Sequence, residues 1–460
     1  MEVNMEKRER FASRLGFILI SAGCSIGLGD VWRFPYIAGQ YGGGIFVIIY
    51  LVFIFLLGLP IMSMELAVGR ASQKSIATSF NVLQKKGQKW HWMGYAGIAG
   101  NYILMMFYTT IAGWMLAYFY KMLTGQFVGR NSEQVGQVFA ELTANPVEMT
   151  IWMVITTVFC FGVCSLGLQK GVEKVTKIMM VLLLAIIVLL AVKSMTLPKA
   201  SAGLNFYLKP DLARMREIGI WETIFAAMSQ AFFTLSLGIG SMAIFGSYIG
   251  KDRRLLGESL NIASLDTGIS LIAGLIIFPA CFSFGVDPGQ GPGLVFVTLP
   301  NIFNSMAGGR IWGTLFFIFM TFAAFSTVIA VFENIMSFGM DLWGWSRKKA
   351  SIINIFLLIL LSMPCVLGFN VLSGIQPLGE GTGILDLEDF IISYNLLPIG
   401  SLIYLLFCVT RYGWGFENFM KEVNEGEGLK MPRFLKGYLT WVLPAIIIVV
   451  LIQGYINVFG

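Results

Sequence analysis

The sequence predicts an all-α polytopic membrane protein of about eleven transmembrane helices, built as a 5+5 inverted repeat with broken helices one and six. Three observations carry that prediction. Hydrophobic residues fill 56% of the 460 positions and charged residues only 13%, against roughly 25% charged in a water-soluble domain. Uncharged runs recur along the chain, among them 43–64, 151–168 and 179–192, and about 20 apolar residues cross a bilayer. The pattern Ser25-Ile-Gly27-Leu-Gly29 returns as Ser236-Leu-Gly238-Ile-Gly240, each time inside the first helix of a five-helix unit.

In order, the helices are expected at about 13–39, 43–69, 90–123, 149–168, 171–194, 219–249, 257–285, 310–341, 349–368, 387–411 and 435–458. No soluble domain or long linker separates them, so residues 1–460 read as one domain. Its first repeat covers about 13–194, its second about 219–411, and the helix at 435–458 is extra. Placing the N-terminus in the cytoplasm puts 23 of the 32 Lys and Arg there, in the N-terminal tail and at 70–89, 170–177, 251–254, 347–349 and 411–436. That is the positive-inside pattern, so the net charge of +6 records topology in a plasma (inner) membrane and no nucleic-acid partner. An odd number of helices leaves the C-terminus outside. Lys7, Arg8, Arg10 and Arg14 precede the first apolar run as in a signal peptide, but the run continues through Asp30 and Trp32-Arg-Phe-Pro35 without a small-residue cleavage site.

Glycine weakens a helix by about 1 kcal/mol relative to alanine. Glycines in one membrane helix often only permit close packing. Matched breaks in two inverted halves point instead to a binding site at mid-membrane, because free backbone groups there must line a cavity. Unwound carbonyls coordinate a cation, and half-helix N-termini receive a carboxylate.

Asp30 follows the first break and Asp266 lies within the seventh helix. A charge near the bilayer centre costs at least about 2.5 kcal/mol, and a cation would offset it. Ser25, Thr234, Ser326 and Thr327 add hydroxyls on helices one, six and eight, and hard oxygen donors suit sodium. Softer chemistry is poorly provided for. The six cysteines lie in or beside apolar spans, which suits packing. His91, the one histidine, sits between Trp90 and Trp92 as an interface residue, and there is no His-Glu-x-x-His. No constellation supports an enzyme, and nothing resembles the carbonyl filter of a channel. Arg33 and Asp389 near the outer ends of helices one and ten, and Arg8 and Asp341 at the cytoplasmic face, are two candidate gate pairs. As solvated surface charges they would contribute almost nothing.

Four segments in order, GLGDVWRFPYIAGQYGGG (27–44), GLPIMSMELAVGR (58–70), QAFFTLSLGIG (230–240) and AAFSTVIAVFE (323–333), resemble the signature of the neurotransmitter:sodium symporters, in their bacterial amino-acid branch with a leucine-transporter-like fold. The resemblance runs from about Arg8 to at least Asp389. It implies alternating access, no enzymatic activity, and one substrate beside two sodium ions. Sodium one would be held by Ser25, Asp30, Thr234 and Asp266, and sodium two by Gly23, Ile26, Ala323, Ser326 and Thr327. Substrate would touch Cys24, Ser25, Gly27, Leu104, Tyr108, Phe233, Thr234, Ser236, Ile239, Thr327 and Val331, with Tyr108 and Phe233 as its lid. Arg33–Asp389 matches the family's outer gate and Arg8–Asp341 its inner one.

Three departures shape the expectation. Monoamine carriers have an aspartate at the position of Gly27, and glycine there leaves room for the substrate's own carboxylate. Asp30 and Asp266 stand where the family often has asparagine, while Tyr50, Gln230 and Ser270 match other chloride-site positions. A fixed carboxylate at Asp266 would replace that anion, so chloride is not expected to be required, and proton participation stays open. Eleven helices stand where many relatives have twelve. Ile239 and Val331 are small at the side-chain end of the pocket and Leu104 takes back some space, which favours a hydrophobic or aromatic amino acid, with tyrosine, tryptophan or phenylalanine ahead of leucine. A transporter-like sensor, or a carrier with different ion coupling, is the alternative.

Overall fold

In the computed structural model, which describes residues 9–288 and 293–459, every regular element is helical. The first span is split into α1 (Arg14–Ser25) and α2 (Gly29–Gln40), bent by 60°. Four continuous spans follow: α3 (Gly44–Ser72), α4 (Trp92–Leu123), α5 (Pro146–Ser165) and α6 (Leu168–Met195). The sixth is split into α7 (Ile220–Thr234) and α8 (Ser241–Gly246). Then come α9 (Leu255–Phe284), α10 (Gly309–Trp343), α11 (Arg347–Gly368), α12 (Ile384–Val409) and α13 (Arg433–Phe459). All eleven expected segments are present within a few residues.

Among the described residues, nine unbroken helices are long and apolar enough to cross a membrane, and the α1–α2 pair makes ten. The sixth expected span is not among them because its break leaves pieces of 15 and 6 residues. There Ser236 takes φ 49°, Gly238 107° and Gly240 76°, left-handed values that glycine reaches without a Cβ penalty. Ser236, a non-glycine, is held by its carbonyl accepting from the Ser241 hydroxyl at 2.5 Å.

The centre of the bundle is α10, 83% buried over its apolar stretch, while α13 at the edge is 28% buried. Around α10 pack α4, α5, α6 and α1, and α9 lies against α1 and α6. The short α8 rests on α3, and α7 packs on the first half of α3. Both broken spans thus sit inside the bundle, where their unwound backbone meets protein and no lipid. At the face where α1 begins, charged pairs close the structure: Arg14 with Glu258 at 2.9 Å, Arg70 with Glu422 at 2.6 Å and Arg347 with Glu333 at 2.6 Å.

Candidate functional site

The break between α1 and α2 leaves Ile26 extended, at φ −64° and ψ 94°, so its carbonyl turns out of the helix. Across from it on α10, the Thr327 hydroxyl lies 3.2 Å from the Gly23 carbonyl, 3.1 Å from that of Ile26 and 3.4 Å from that of Ala323. Ser326 donates to the same Ala323 carbonyl at 2.9 Å. A hydroxyl carries one proton, so Thr327 satisfies one of these acceptors at a time. The Ala323 carbonyl is served by Ser326, so at least one of the Gly23 and Ile26 carbonyls is left without this hydroxyl's proton, beside buried Ser326 and Thr327. The five residues expected around a second sodium are therefore adjacent.

On the other side of the break, buried Asp30 accepts from the Gly27 amide at 3.0 Å and from the Ser270 hydroxyl of α9 at 2.7 Å. The Gln230 side-chain amide bridges the Gly29 carbonyl at 3.1 Å and the Thr234 hydroxyl at 3.0 Å, which ties α7 to the first span. Asp266 is buried on α9 and neither carboxylate oxygen has a hydrogen-bond partner; the Tyr50 hydroxyl and Gln230 Oε1 are orphaned in the same way. A buried carboxylate without a partner requires a proton or a cation, so this donor set fits a small hard cation. Ser25 turns its hydroxyl back to the Ser21 carbonyl at 3.5 Å, which leaves its own carbonyl as the group it would offer. Among the described residues no cluster of three or more His, Cys, Asp or Glu could hold a transition metal.

Tyr108 and Phe233 both fold onto the first break. The Tyr108 hydroxyl accepts from the Leu28 amide at 3.0 Å, and the Phe233 ring lies where a Cβ on Gly29 would come within 2.7 Å of it. A Cβ on Gly27 would run into the Tyr108 oxygen and lie 3.0 Å from that of Thr327, so any larger residue would displace the Tyr108 side chain from the break. Cys24, Leu104, Ile239 and Val331 are buried around the same region.

The gates divide. The Arg33 guanidinium carbon stands 4.0 Å from the centroid of the Phe233 ring, Nη1 has no hydrogen-bond partner, and among the described residues no ion pair joins it to Asp389. Asp389 accepts instead from Ser393, one turn along α12, at 2.6 Å. Arg33, Phe233 and Ser393 border one cavity. Of the inner pair, Arg8 lies outside the described residues, and Asp341 accepts from the Ser75 amide at 2.8 Å and faces Lys74 at 3.5 Å.

Three residues that shape the site escape the sequence reading. Glu65 of α3 accepts from the amides of Gly238 at 2.5 Å and Met242 at 3.1 Å, holding both sides of the second break. Asn101 of α4 donates to the Ile239 carbonyl at 2.9 Å, and Asn334 of α10 donates to Asn101 at 3.0 Å and to the Gly240 carbonyl at 3.4 Å. Glu65 and Asn101 are polar residues inside apolar stretches, and Asn334 follows Glu333 within a third, which was the available signal.

Two broken spans packed together around buried, unpartnered oxygens are the architecture of a secondary transporter. The chain belongs to the sodium:neurotransmitter symporter family, whose model matches residues 8–138 and 126–459. It is 32% identical over 457 residues to the sodium-dependent transporter YhdH of Bacillus subtilis, covering 99% of this chain and 98% of that one. It is 31% identical to the sodium-dependent transporter MJ1319 of Methanocaldococcus jannaschii, over 96% and 89% of the two chains. The crystal structure of MhsT in complex with L-phenylalanine superposes with a TM-score of 0.86 at 38% identity, over 97% of this chain and all of the other. The protein is thus a sodium-dependent transporter of this family and no enzyme.

Proposed function

We propose that this transporter imports a neutral, hydrophobic or aromatic amino acid by sodium symport through alternating access, with an N-terminus in the cytoplasm and a C-terminus outside. The observation that carries the reading is the pair of oxygen clusters flanking the α1–α2 break, one around Thr327 and one around Asp30 and Asp266. In the proposed cycle sodium enters both clusters in the outward-open state and fixes the break. The substrate carboxylate then approaches the break beside Gly27, where no side chain competes with it, receives the Tyr108 hydroxyl and completes the shell of the first ion. Each ligand therefore raises the other's affinity. Phe233 covers the substrate, and release of the ion at Ser326 and Thr327 frees α1 to move away from α10 and open the inner path. The two inverted repeats, 13–194 and 219–411, supply one broken span each.

A relative solved with L-phenylalanine supports an aromatic or hydrophobic substrate, as does a pocket lined by Leu104, Ile239 and Val331. One apolar contact shifts discrimination by only about 1–3 kcal/mol, so several such amino acids should be carried. Asp266 beside Tyr50, Gln230 and Ser270 supports transport without chloride. The test is uptake of labelled phenylalanine, tyrosine, tryptophan and leucine into proteoliposomes, with an inward sodium gradient or with potassium in its place. Concentrative uptake with sodium alone is expected, and it should survive replacement of chloride by gluconate. Sodium-dependent binding without accumulation of any amino acid would overturn the symport reading in favour of a sensor.

A further inference from the structure

Residues 67–132 contain no Asp or Glu, and neither do residues 390–416. The fold brings these two stretches together at the face where α1 begins. There Phe407, near the end of α12, packs on Phe80 and Trp90 with ring centroids 4.7 and 5.4 Å apart. Trp90 Nε1 donates to the Tyr412 carbonyl at 2.7 Å, and the Lys85 ammonium donates to the Arg411 carbonyl at 3.1 Å. Arg411 lies 4.8 Å over the Tyr412 ring, and Lys86 and Lys89, in the same α3–α4 loop as Lys85, are exposed. The next acid along the chain, Glu417, is paired with Arg433 at 3.1 Å.

Among the described residues none of Lys85, Lys86, Lys89 and Arg411 has an ion pair; such charges repel one another, and an external anion relieves them. The anion's nature follows from the rings around it: Trp92 is 63% exposed, Tyr95 61% and Tyr412 65%. They stand at the first turn of α4 and just past the end of α12, where spanning helices meet water and aromatic rings settle at headgroup depth. A soluble anion makes no use of exposed rings, whereas an acidic phospholipid offers phosphate to the cations and acyl chains to the rings.

We propose that Lys85, Lys86, Lys89 and Arg411, with Trp92 and Tyr412, form a binding site for the headgroup of an acidic phospholipid, joining the α3–α4 loop to the end of α12. The test reconstitutes the full chain in phosphatidylcholine vesicles doped with brominated phosphatidylglycerol or, at equal mole fraction, brominated phosphatidylcholine, and reads tryptophan quenching. Phosphatidylglycerol should quench more strongly, and that excess should be lost in a K85Q/K89Q/R411Q variant and reduced in W92F. Equal quenching by the two lipids overturns the site, as does an excess that both variants retain. Suppression of the excess by inorganic phosphate at constant ionic strength would also overturn it, showing an anion site without lipid preference. If the triple variant does not fold, the W92F arm decides alone.

Discussion

Thr327 sets one proton against three carbonyls within 3.4 Å, a geometry that an ion completes and a methyl group would spoil. Thr327→Val should raise the sodium concentration for half-maximal uptake at least tenfold, about 1.4 kcal/mol, while Thr327→Ser should stay close to the parent; sodium titration of uptake reads both. At Asp266, substitution by Asn removes the fixed negative charge among Tyr50, Gln230 and Ser270. Uptake by D266N should become chloride-dependent, which replacement of chloride by gluconate would reveal. Gly27→Ala should abolish uptake while thermal unfolding in detergent stays near that of the parent, because the atoms nearest the new methyl are the side-chain ends of Tyr108 and Thr327, with no backbone among them. The sequence singles out these positions because ligand chemistry is carried by residue type: aspartates and hydroxyls beside glycine pairs stand out in an apolar chain. The surroundings of Arg33 do not show in the same way. Its charge suggested an ion pair with Asp389, and the fold gives it the face of the Phe233 ring instead.

The second break is maintained by its neighbours as much as by its own glycines. Removing Glu65 leaves the Gly238 and Met242 amides without their buried acceptor, at about 1–3 kcal/mol for each unsatisfied donor. Glu65→Ala should lower the unfolding temperature in detergent and remove the stabilisation that sodium confers, as differential scanning fluorimetry with and without the ion would show. The helices themselves were readable from apolar length, and their errors are local. The fifth element starts at Pro146, earlier than the expected 149, because the Asn145 side chain accepts from the amides of Val147 and Glu148 at 3.1 Å and proline suits the first helical position. Likewise α11 begins at Arg347 because Ser346 caps it by accepting from the Lys349 amide at 3.4 Å. Glu65, by contrast, reads as one more residue of a family signature. Its partners lie 173 and 177 positions away, and no local pattern points to them.

Across the whole molecule, distant parts of the chain are locked together at one face. Arg70, fully buried, donates to the Glu422 carboxylate at 2.6 Å, to its carbonyl, and to the Arg253 carbonyl at 2.7 Å. Nearby, Arg254 donates to the carbonyls of Asn424 at 3.1 Å and Gly428 at 2.8 Å. Arg70→Ala leaves the Glu422 carboxylate with only the longer Lys251 contact at 3.7 Å and strips the Glu422 and Arg253 carbonyls of their donor, at about 1–3 kcal/mol for each unsatisfied group. Yield and unfolding temperature should both fall, and R70K should recover little because one ammonium cannot reach acceptors spread over this fork. A separation of 352 residues puts this lock beyond any reading of sequence alone, although a lone arginine after an apolar run was visible.

The packing of α1 and α4 on α10, and of α3 on α8, has a practical consequence for how the polypeptide can be made. Those contacts all cross the midpoint of the chain, as do the Arg14–Glu258 and Arg70–Glu422 pairs. The stretch that joins the halves, by contrast, is exposed at Pro198 and Lys199. A cut there severs the covalent thread but none of the described cross-bundle bonds. Residues 1–198 and 199–460, produced in one cell from two separate genes, should therefore find each other in the membrane, co-purify through a tag on either piece, and carry substrate as the intact chain does.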